Sequence, residues 1–91
     1  MCYLLVLTDC SSLIPNQDFV IAETALLRAK KFDAHKLYPN TYLKAYNLYR
    51  KAIAEYKKEN YESAQNHFQE SIKGFEKAEL KARLKQAKEE I

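Results

Sequence analysis

The sequence predicts an all-α fold, a three-helix antiparallel bundle with helices over about residues 18–36, 41–58 and 61–90. One Gly and two Pro in 91 residues leave little room for the tight turns and bulges that a sheet needs. Large apolar side chains also recur every three or four residues between Tyr42 and Phe75, which is the period of an α-helix. A chain of this length is expected to form one domain.

The central element is a predicted helical hairpin over Tyr42–Glu79. Each half places its large side chains on one helix face. These are Tyr42, Tyr46, Tyr49, Ile53 and Tyr56 in the first half, and Tyr61, Ala64, Phe68, Ile72 and Phe75 in the second. Glu59-Asn60 separates the halves, and Asn60 suits the left-handed conformation that ends helices. Gly74 interrupts the second half, so we expect either a close helix contact or a weak point there.

The first predicted helix begins near Asp18 and presents Phe19, Ala22, Leu26 and Ala29 on one face. Val20, Ile21 and Leu27 widen this apolar face, so the helix is expected to lie in a groove between the other two. Tyr38 precedes Pro39 and is therefore disfavoured in helical conformation, so the helix should end before it. Asn40 or Thr41 would then cap the second helix.

The end of the third helix is predicted to protrude from the bundle. Leu80, Leu84, Ala87 and Ile91 form a stripe that is rotated away from the Tyr61–Phe75 face. The short first helix is not expected to reach this height. Residues 80–91 are therefore interpreted either as a helical end that forms a homodimer or as a frayed tail.

Residues 1–17 form a separate N-terminal apolar segment and tether. The apolar run Tyr3–Leu7 is too short to span a bilayer, which takes about 20 residues. Cys10 follows this run and precedes Ser-Ser, a pattern that resembles a truncated bacterial lipoprotein signal ending at a lipidated Cys10. The run lacks a preceding basic region and is shorter than in a complete signal, and Asp9 stands where such signals carry a small residue. One explanation is that the real signal begins upstream of Met1. The alternatives are an arm that packs on the helices and a disulfide between Cys2 and Cys10.

Charge and residue types argue against several other functions. The formal net charge of +3 is mild, and opposite charges alternate along the helices, so we expect no nucleic-acid partner. The two Cys and two His do not follow metal-ligand spacing, and we expect neither a metal nor another cofactor. His35 is expected to be solvated, and His67 to be hydrogen-bonded or exposed. No catalytic constellation can be assembled from these residues, so we expect no enzyme.

Tyrosine is the most distinctive residue on the second helix. Tyr42, Tyr46, Tyr49 and Tyr56 share a face, and tyrosines are frequent where proteins contact partners. This face is therefore a candidate partner-binding surface. The favoured interpretation is that the rings fill the core of the bundle while each hydroxyl reaches its rim.

A pattern of alanines and a Leu-Tyr-Pro connection extends from residue 10 to about residue 85. Its members are Ala22-Glu-Thr-Ala25-Leu-Leu-Arg-Ala29, Ala34, Leu37-Tyr-Pro39, Ala45, Ala52, Asn60-Tyr61-Glu-Ser-Ala64 and Ala78. The pattern resembles an uncharacterised family of bacterial envelope lipoproteins, in which a short helical domain follows a lipidated Cys. The resemblance implies a periplasm-facing module tethered to the membrane, and Cys10 alone matches a functional position.

Two weaker resemblances concern the hairpin. Asn60–Phe68 resembles the second helix of a tetratricopeptide repeat, and Lys44–Ala78 resembles the first two helices of a microtubule-interacting-and-trafficking domain. Both imply binding of a partner peptide or helix. The first hypothesis is thus a lipid-anchored scaffold or adaptor of the cell envelope. The second is a soluble helical adaptor, which would be cytoplasmic.

Overall fold

A computed structural model describes residues 16–90 and confirms the all-α class for this part of the chain. It contains the helices α1 (Asn16–Lys31), α2 (Ala34–Leu37), α3 (Pro39–Lys57) and α4 (Tyr61–Glu90). The second and third predicted helices correspond closely to α3 and α4. The first predicted helix is divided into α1 and α2, so the described chain has four helices rather than three.

The division occurs at Phe32-Asp33, where a continuous helix to residue 36 was predicted. Asp33 adopts a left-handed conformation with φ of 61°. Its N–H donates to the carbonyl of Lys30 at 2.9 Å, and its own carbonyl accepts from Lys36 at 3.0 Å. Asp is among the few residues that adopt this conformation at modest cost, and the helical pattern does not reveal it.

The connection between α2 and α3 agrees with one prediction and corrects another. Helix α2 ends at Leu37, before Tyr38, as the following proline requires. Helix α3 then begins at Pro39 itself, so the predicted cap at Asn40 or Thr41 is wrong. Proline suits the first helical position because its fixed φ matches the helix and its missing N–H would have no partner there.

The reversal between α3 and α4 is as short as predicted, but a different residue makes the turn. Glu59, rather than Asn60, has a positive φ of 66°. The N–H of Asn60 donates to the carbonyl of Glu55 at 2.9 Å, and that of Glu59 donates to the carbonyl of Tyr56 at 3.0 Å. These two bonds form a Schellman motif, which satisfies the last carbonyls of α3.

Helices α3 and α4 pack antiparallel along most of α3. The ring centroids of Tyr42 and Phe75 lie 5.4 Å apart, and those of Tyr49 and Phe68 lie 6.2 Å apart. Between these contacts the backbones approach closely, because a Cβ atom added to Gly74 would lie 2.7 Å from the Cβ of Ala45. Gly74 therefore marks a close helix contact, which was the first of the two expectations for it.

The core consists mainly of alanines and aromatic rings. Among the described residues, the fully buried large side chains are Phe68 and Phe75. The other buried apolar residues are Ala22, Ala25, Leu26, Ala29, Ala34, Tyr42, Ala45, Tyr49, Ala52, Ala64, Ala78 and Ala82. Small residues on all three long helices let the backbones approach, and the rings fill the space between them.

Helix α1 packs mainly on α4 and contacts α3 much less, although Phe19 stacks on Tyr49 of α3 with ring centroids 6.1 Å apart. It therefore lies less evenly between the other two long helices than predicted. Phe19 contacts Phe68, and Arg28 contacts Glu79, so α1 and α4 run in the same direction. The alanines of α1 face this contact. Val20 and Leu27 are instead 56% and 57% exposed on the outside of α1. The apolar widening of this helix therefore does not serve its packing.

The C-terminal part of α4 is better covered than predicted. Ala82 is fully buried, and the side-chain amide of Gln86 donates to the carbonyl of Phe32 at 2.9 Å. The guanidinium of Arg83 also lies 4.9 Å from the centre of the Phe32 ring. The break after α1 thus brings Phe32 against the C-terminal part of α4. Leu80 and Leu84 remain exposed on the outer side of α4.

Candidate functional site

The predicted lipidation site lies outside the described residues. Cys10, Cys2 and the apolar run Tyr3–Leu7 all precede Asn16, the first residue described. Acylation of Cys10, the alternative Cys2–Cys10 disulfide and the alternative packed arm therefore remain predictions. Ile91, the last residue of the predicted C-terminal stripe, also lies outside this range.

Three of the four predicted tyrosines lie together on α3. Tyr42 and Tyr49 are each 9% exposed, and Tyr46 between them is half-buried. The Tyr46 ring stacks on Tyr42 with centroids 6.2 Å apart and lies 6.3 Å from Tyr49. The inner rings contact Phe75 and Phe68 of α4, so little of their apolar surface remains available to another molecule. Use of this face by a partner remains a prediction.

Tyr56, the fourth predicted residue, lies two turns further along α3, beside the reversal. Its ring packs edge-to-face on Tyr61 with centroids 5.5 Å apart. It also lines a small notch of about 220 Å³, together with Phe19, Ile53, Lys57 and Phe68. The four tyrosines therefore share a helix face but form two separate groups.

Burial changes the acidity of the two inner tyrosines. It raises the pKa of the Tyr42 hydroxyl above its ordinary value of 10.0, and the neighbouring Tyr46 raises it further. The pKa of Tyr49 is also raised, first by burial and then by Glu23 and Tyr46. Both hydroxyls therefore keep their protons to a higher pH than the hydroxyl of an exposed tyrosine.

A polar cluster at the reversal was not predicted from the sequence. One carboxylate oxygen of Glu55 lies 2.6 Å from Nδ1 of His67, and the other accepts from the Ser63 hydroxyl at 2.7 Å. The Ser63 bond is the main reason that the pKa of Glu55 is lowered; His67 and Lys51 lower it further, against partial desolvation. The expected hydrogen bonding of His67 is confirmed.

This cluster joins α3 to α4 and was detectable in principle. Glu55 and Ser63 lie four residues on either side of Glu59, so folding the chain at that residue brings them opposite each other. His67 follows one helical turn after Ser63 and lies on the same face. Both partners bind the same carboxylate, so the arrangement acts as a polar clamp between the helices.

A second polar group connects α1 to α4. Glu79 is buried, and its Oε2 accepts from the guanidinium groups of Arg28 and Arg83, each at 3.3 Å. This carboxylate lies at one end of a shallow groove of about 190 Å³. The groove is lined by Val20, Ile21, Thr24, Ala25, Arg28, Glu76 and Glu79. Val20, Ile21 and Ala25 give the groove an apolar lining on α1, and the pairing of Arg28 with Glu79 offsets charge within it.

The described residues contain no group of three His, Cys, Asp or Glu side chains that could hold a metal ion.

His35 differs from its expectation as a solvated residue. It is half-buried beside Tyr42, and its Nδ1 is shielded from solvent with no hydrogen-bond partner among the described residues. The chain turn at Asp33 places it there, because α2 packs back onto α3 and α4.

None of the helices within residues 16–90 is both long enough and apolar enough to cross a membrane. Comparison of the chain with protein-family models, curated proteins and solved structures found no match. The resemblances to envelope lipoproteins, tetratricopeptide repeats and microtubule-interacting-and-trafficking domains therefore remain predictions.

Proposed function

We propose that this protein is a non-enzymatic, lipid-anchored scaffold or adaptor module of the bacterial cell envelope. In this proposal an acylated Cys10 holds the chain at the membrane, and the helices face the periplasm. The observation that carries it is the apolar run Tyr3–Leu7 followed by Cys10, only six residues before α1 begins at Asn16. A tether of this length would keep the helical body close to the membrane surface.

The helical body would act as one rigid unit. We propose that its three long helices form an antiparallel bundle around a tetratricopeptide-like hairpin of α3 and α4. Support comes from the fully buried rings of Phe68 and Phe75 and from the polar clamp at Glu55. A unit of this kind presents its outer faces to partners, because aromatic side chains of its own chain occupy the space between the helices.

Acylation of Cys10 is tested by expressing the gene with its native upstream DNA in a bacterium. We expect mass spectrometry to find an acylated Cys10 and detergent phase separation to place the protein in the detergent phase. Cys10→Ser should abolish both results, whereas the matched control Cys2→Ser should retain them. An unacylated Cys10 in a protein that stays in the aqueous phase would refute the anchoring proposal.

A second candidate function is a soluble, cytoplasmic adaptor that binds a partner peptide or helix. It is favoured by the groove between α1 and α4, whose lining includes the exposed Val20 and Ile21 of α1 and Glu76 of α4. A peptide array probed with the purified chain tests it: Ile21→Glu should abolish capture, and Leu43→Glu, an exposed position on α3, should not. Equal capture by both variants would exclude the groove. The predicted homodimer through Leu80 and Leu84 is tested separately by analytical ultracentrifugation.

A further inference from the structure

The charges of the protein are separated along the length of the helices. Within the described residues, we call the part near Phe32-Asp33 the break end, which comprises residues 28–44 and 77–90. The rest of the described residues, 16–27 and 45–76, form the turn end. The break end has ten Lys or Arg and four Asp or Glu, a formal charge of +6. The turn end has five and seven, a formal charge of −2. The mild net charge of the whole chain conceals this asymmetry.

Two exposed leucines lie within the basic half. Leu80 and Leu84 are 58% and 53% exposed on α4, and their spacing of four places them on one face. Lys77 lies three residues before Leu80, and Lys88 lies four residues after Leu84, so both cations adjoin the same face. We define the basic face as Lys77, Leu80, Leu84 and Lys88.

The chemistry of this face restricts its partner. A partner that binds this face needs negative charge opposite the lysines and an apolar layer that the leucine side chains can enter. The backbone of a nucleic acid supplies phosphates for the lysines but has no apolar surface that a pair of leucine side chains could bury. The surface of an anionic bilayer supplies both, since leucines can enter the acyl boundary while lysine amines stay among the headgroups.

We propose that the basic face of α4 binds the surface of an anionic lipid bilayer, with α4 lying along it. The inference rests on the proposed function in one respect, that the chain is located at a membrane. Helix α1 begins at the turn end, where Phe19 contacts Phe68, whereas the basic face lies at the break end. A tether at one end and the basic face at the other would lay α4, about 45 Å long, parallel to the surface.

The experiment uses the full chain with Cys10→Ser, which cannot be acylated at this position, so its outcome does not depend on the anchor. Flotation is measured with vesicles of phosphatidylcholine alone and with vesicles that also contain phosphatidylglycerol. We expect binding to the anionic vesicles only, and weaker binding as salt concentration rises. Leu80→Gln/Leu84→Gln and Lys77→Gln/Lys88→Gln should each reduce the partition coefficient by about tenfold or more.

Matched controls separate this face from general surface properties. Val20→Gln/Leu27→Gln removes two equally exposed apolar side chains from α1, and Lys57→Gln/Lys58→Gln removes two cations from the turn end. Both control variants should bind the anionic vesicles like the parent chain. Circular dichroism verifies that every variant keeps its helical content.

Several results would overturn the inference. Equal binding to neutral vesicles, no binding at low salt, or equal losses in the control variants would each do so. Retention of binding by Leu80→Gln/Leu84→Gln would also do so, as would tighter binding of duplex DNA or an acidic protein than of the anionic vesicles. A homodimer of the parent chain that Leu80→Gln/Leu84→Gln dissociates would overturn it too, because the second copy would then cover these leucines. The proposed function is refuted by a different result. If Cys10 is acylated but the Cys10→Ser chain does not bind vesicles, only this inference is refuted. If the chain binds anionic vesicles but Cys10 is not acylated, only the lipid anchor is refuted.

Discussion

Gly74 lies where α4 approaches α3 most closely, so replacing it with Ala tests the packing of these helices directly. The added Cβ atom would lie 2.7 Å from the Cβ of Ala45 and 3.4 Å from its Cα. Carbon atoms in favourable contact are about 3.5–4.0 Å apart, so the two Cβ atoms would overlap by about 1 Å. Both atoms are attached to helix backbone, and no rotamer change can relieve the overlap.

Two effects of opposite sign determine the result of Gly74→Ala. Ala is favoured over Gly within a helix by about 1 kcal/mol. Overpacking in a close contact typically costs about 1–3 kcal/mol, and the rigid partner favours the upper part of this range. The separation of the helices would also loosen the contact between Tyr42 and Phe75. We therefore expect the free energy of unfolding to fall by about 1–2 kcal/mol.

Urea unfolding followed by circular dichroism measures this change within a double-mutant cycle. Ala45→Gly alone should lose about 1 kcal/mol from helix propensity. The double variant Gly74→Ala/Ala45→Gly removes the overlap and should recover most of the loss that Gly74→Ala causes. The coupling energy would then be about 2 kcal/mol, well above the 0.3–0.5 kcal/mol expected of independent sites. Ala54→Gly, at an exposed position of α3, measures the propensity term alone.

A stabilising effect of Gly74→Ala would refute this reasoning. A gain of about 1 kcal/mol is what helix propensity alone predicts, and it would mean that α3 and α4 are not in close contact at this position. Additive effects of Gly74→Ala and Ala45→Gly would lead to the same conclusion. The register of the helical hairpin would then be different from the one described.

Three further predictions test the burial of Phe68 and the shifted pKa values of Glu55 and Tyr49. Phe68→Ala should lower the free energy of unfolding by about 3–5 kcal/mol, because its ring is fully buried. Leu43→Ala, at an exposed position, should change it by less than about 0.5 kcal/mol. Urea unfolding of both variants measures these changes, and similar losses in the two would contradict the described burial. Because the pKa of Glu55 is lowered in the folded state, its contribution to stability is present above about pH 4.5 and is lost as pH falls through the lower folded value. The unfolding midpoint of the parent chain should therefore fall on acidification more than that of Glu55→Gln, and parallel pH profiles would contradict the clamp. Because the pKa of Tyr49 is raised above 10.0, its contribution is intact below that pH and is lost as pH rises through the folded value. With no Trp in the chain, tyrosinate absorbance reports this directly: Tyr49→Phe should remove a late-titrating ring, and loss of an early one would contradict the burial.

The helical segments could be predicted because their side chains are strongly periodic. The stripes that contain Tyr49 and Phe68 locate α3 and α4 to within about two residues, and Pro39 requires the preceding helix to end before Tyr38. The break at Asp33 could not be predicted in the same way, because an ordinary polar residue within a helical pattern gives no sign of its left-handed conformation. The reversal at Glu59-Asn60 was predicted, but the left-handed residue in it is Glu59 rather than Asn60.

The packed face of α1 was predicted correctly, but the residues that widen it were not informative. Ala22, Leu26 and Ala29 are buried as expected. Val20 and Leu27 are as apolar as Leu26 and are nevertheless exposed, so hydrophobic residues do not always mark a buried face. The candidate sites also differ in how far the sequence reveals them. Helical periodicity places Tyr42 and its neighbouring tyrosines on one face, and they were predicted to lie together. The cluster of Glu55 was not predicted, because Glu55 meets its partners on α4 only after the chain reverses.

The packing also indicates what kind of partner the protein is suited to. Phe68 and Phe75 are fully buried between helices that are held close by Ala45 and Gly74. A core filled in this way by its own side chains does not widen without the cost that Gly74→Ala is designed to measure. Recognition by the described helices is therefore expected to use their outer faces, which offer breadth and charge rather than depth. Broad, charged surfaces suit membranes and polypeptides, and this is why we assign the basic face of α4 to a lipid bilayer rather than to a small molecule.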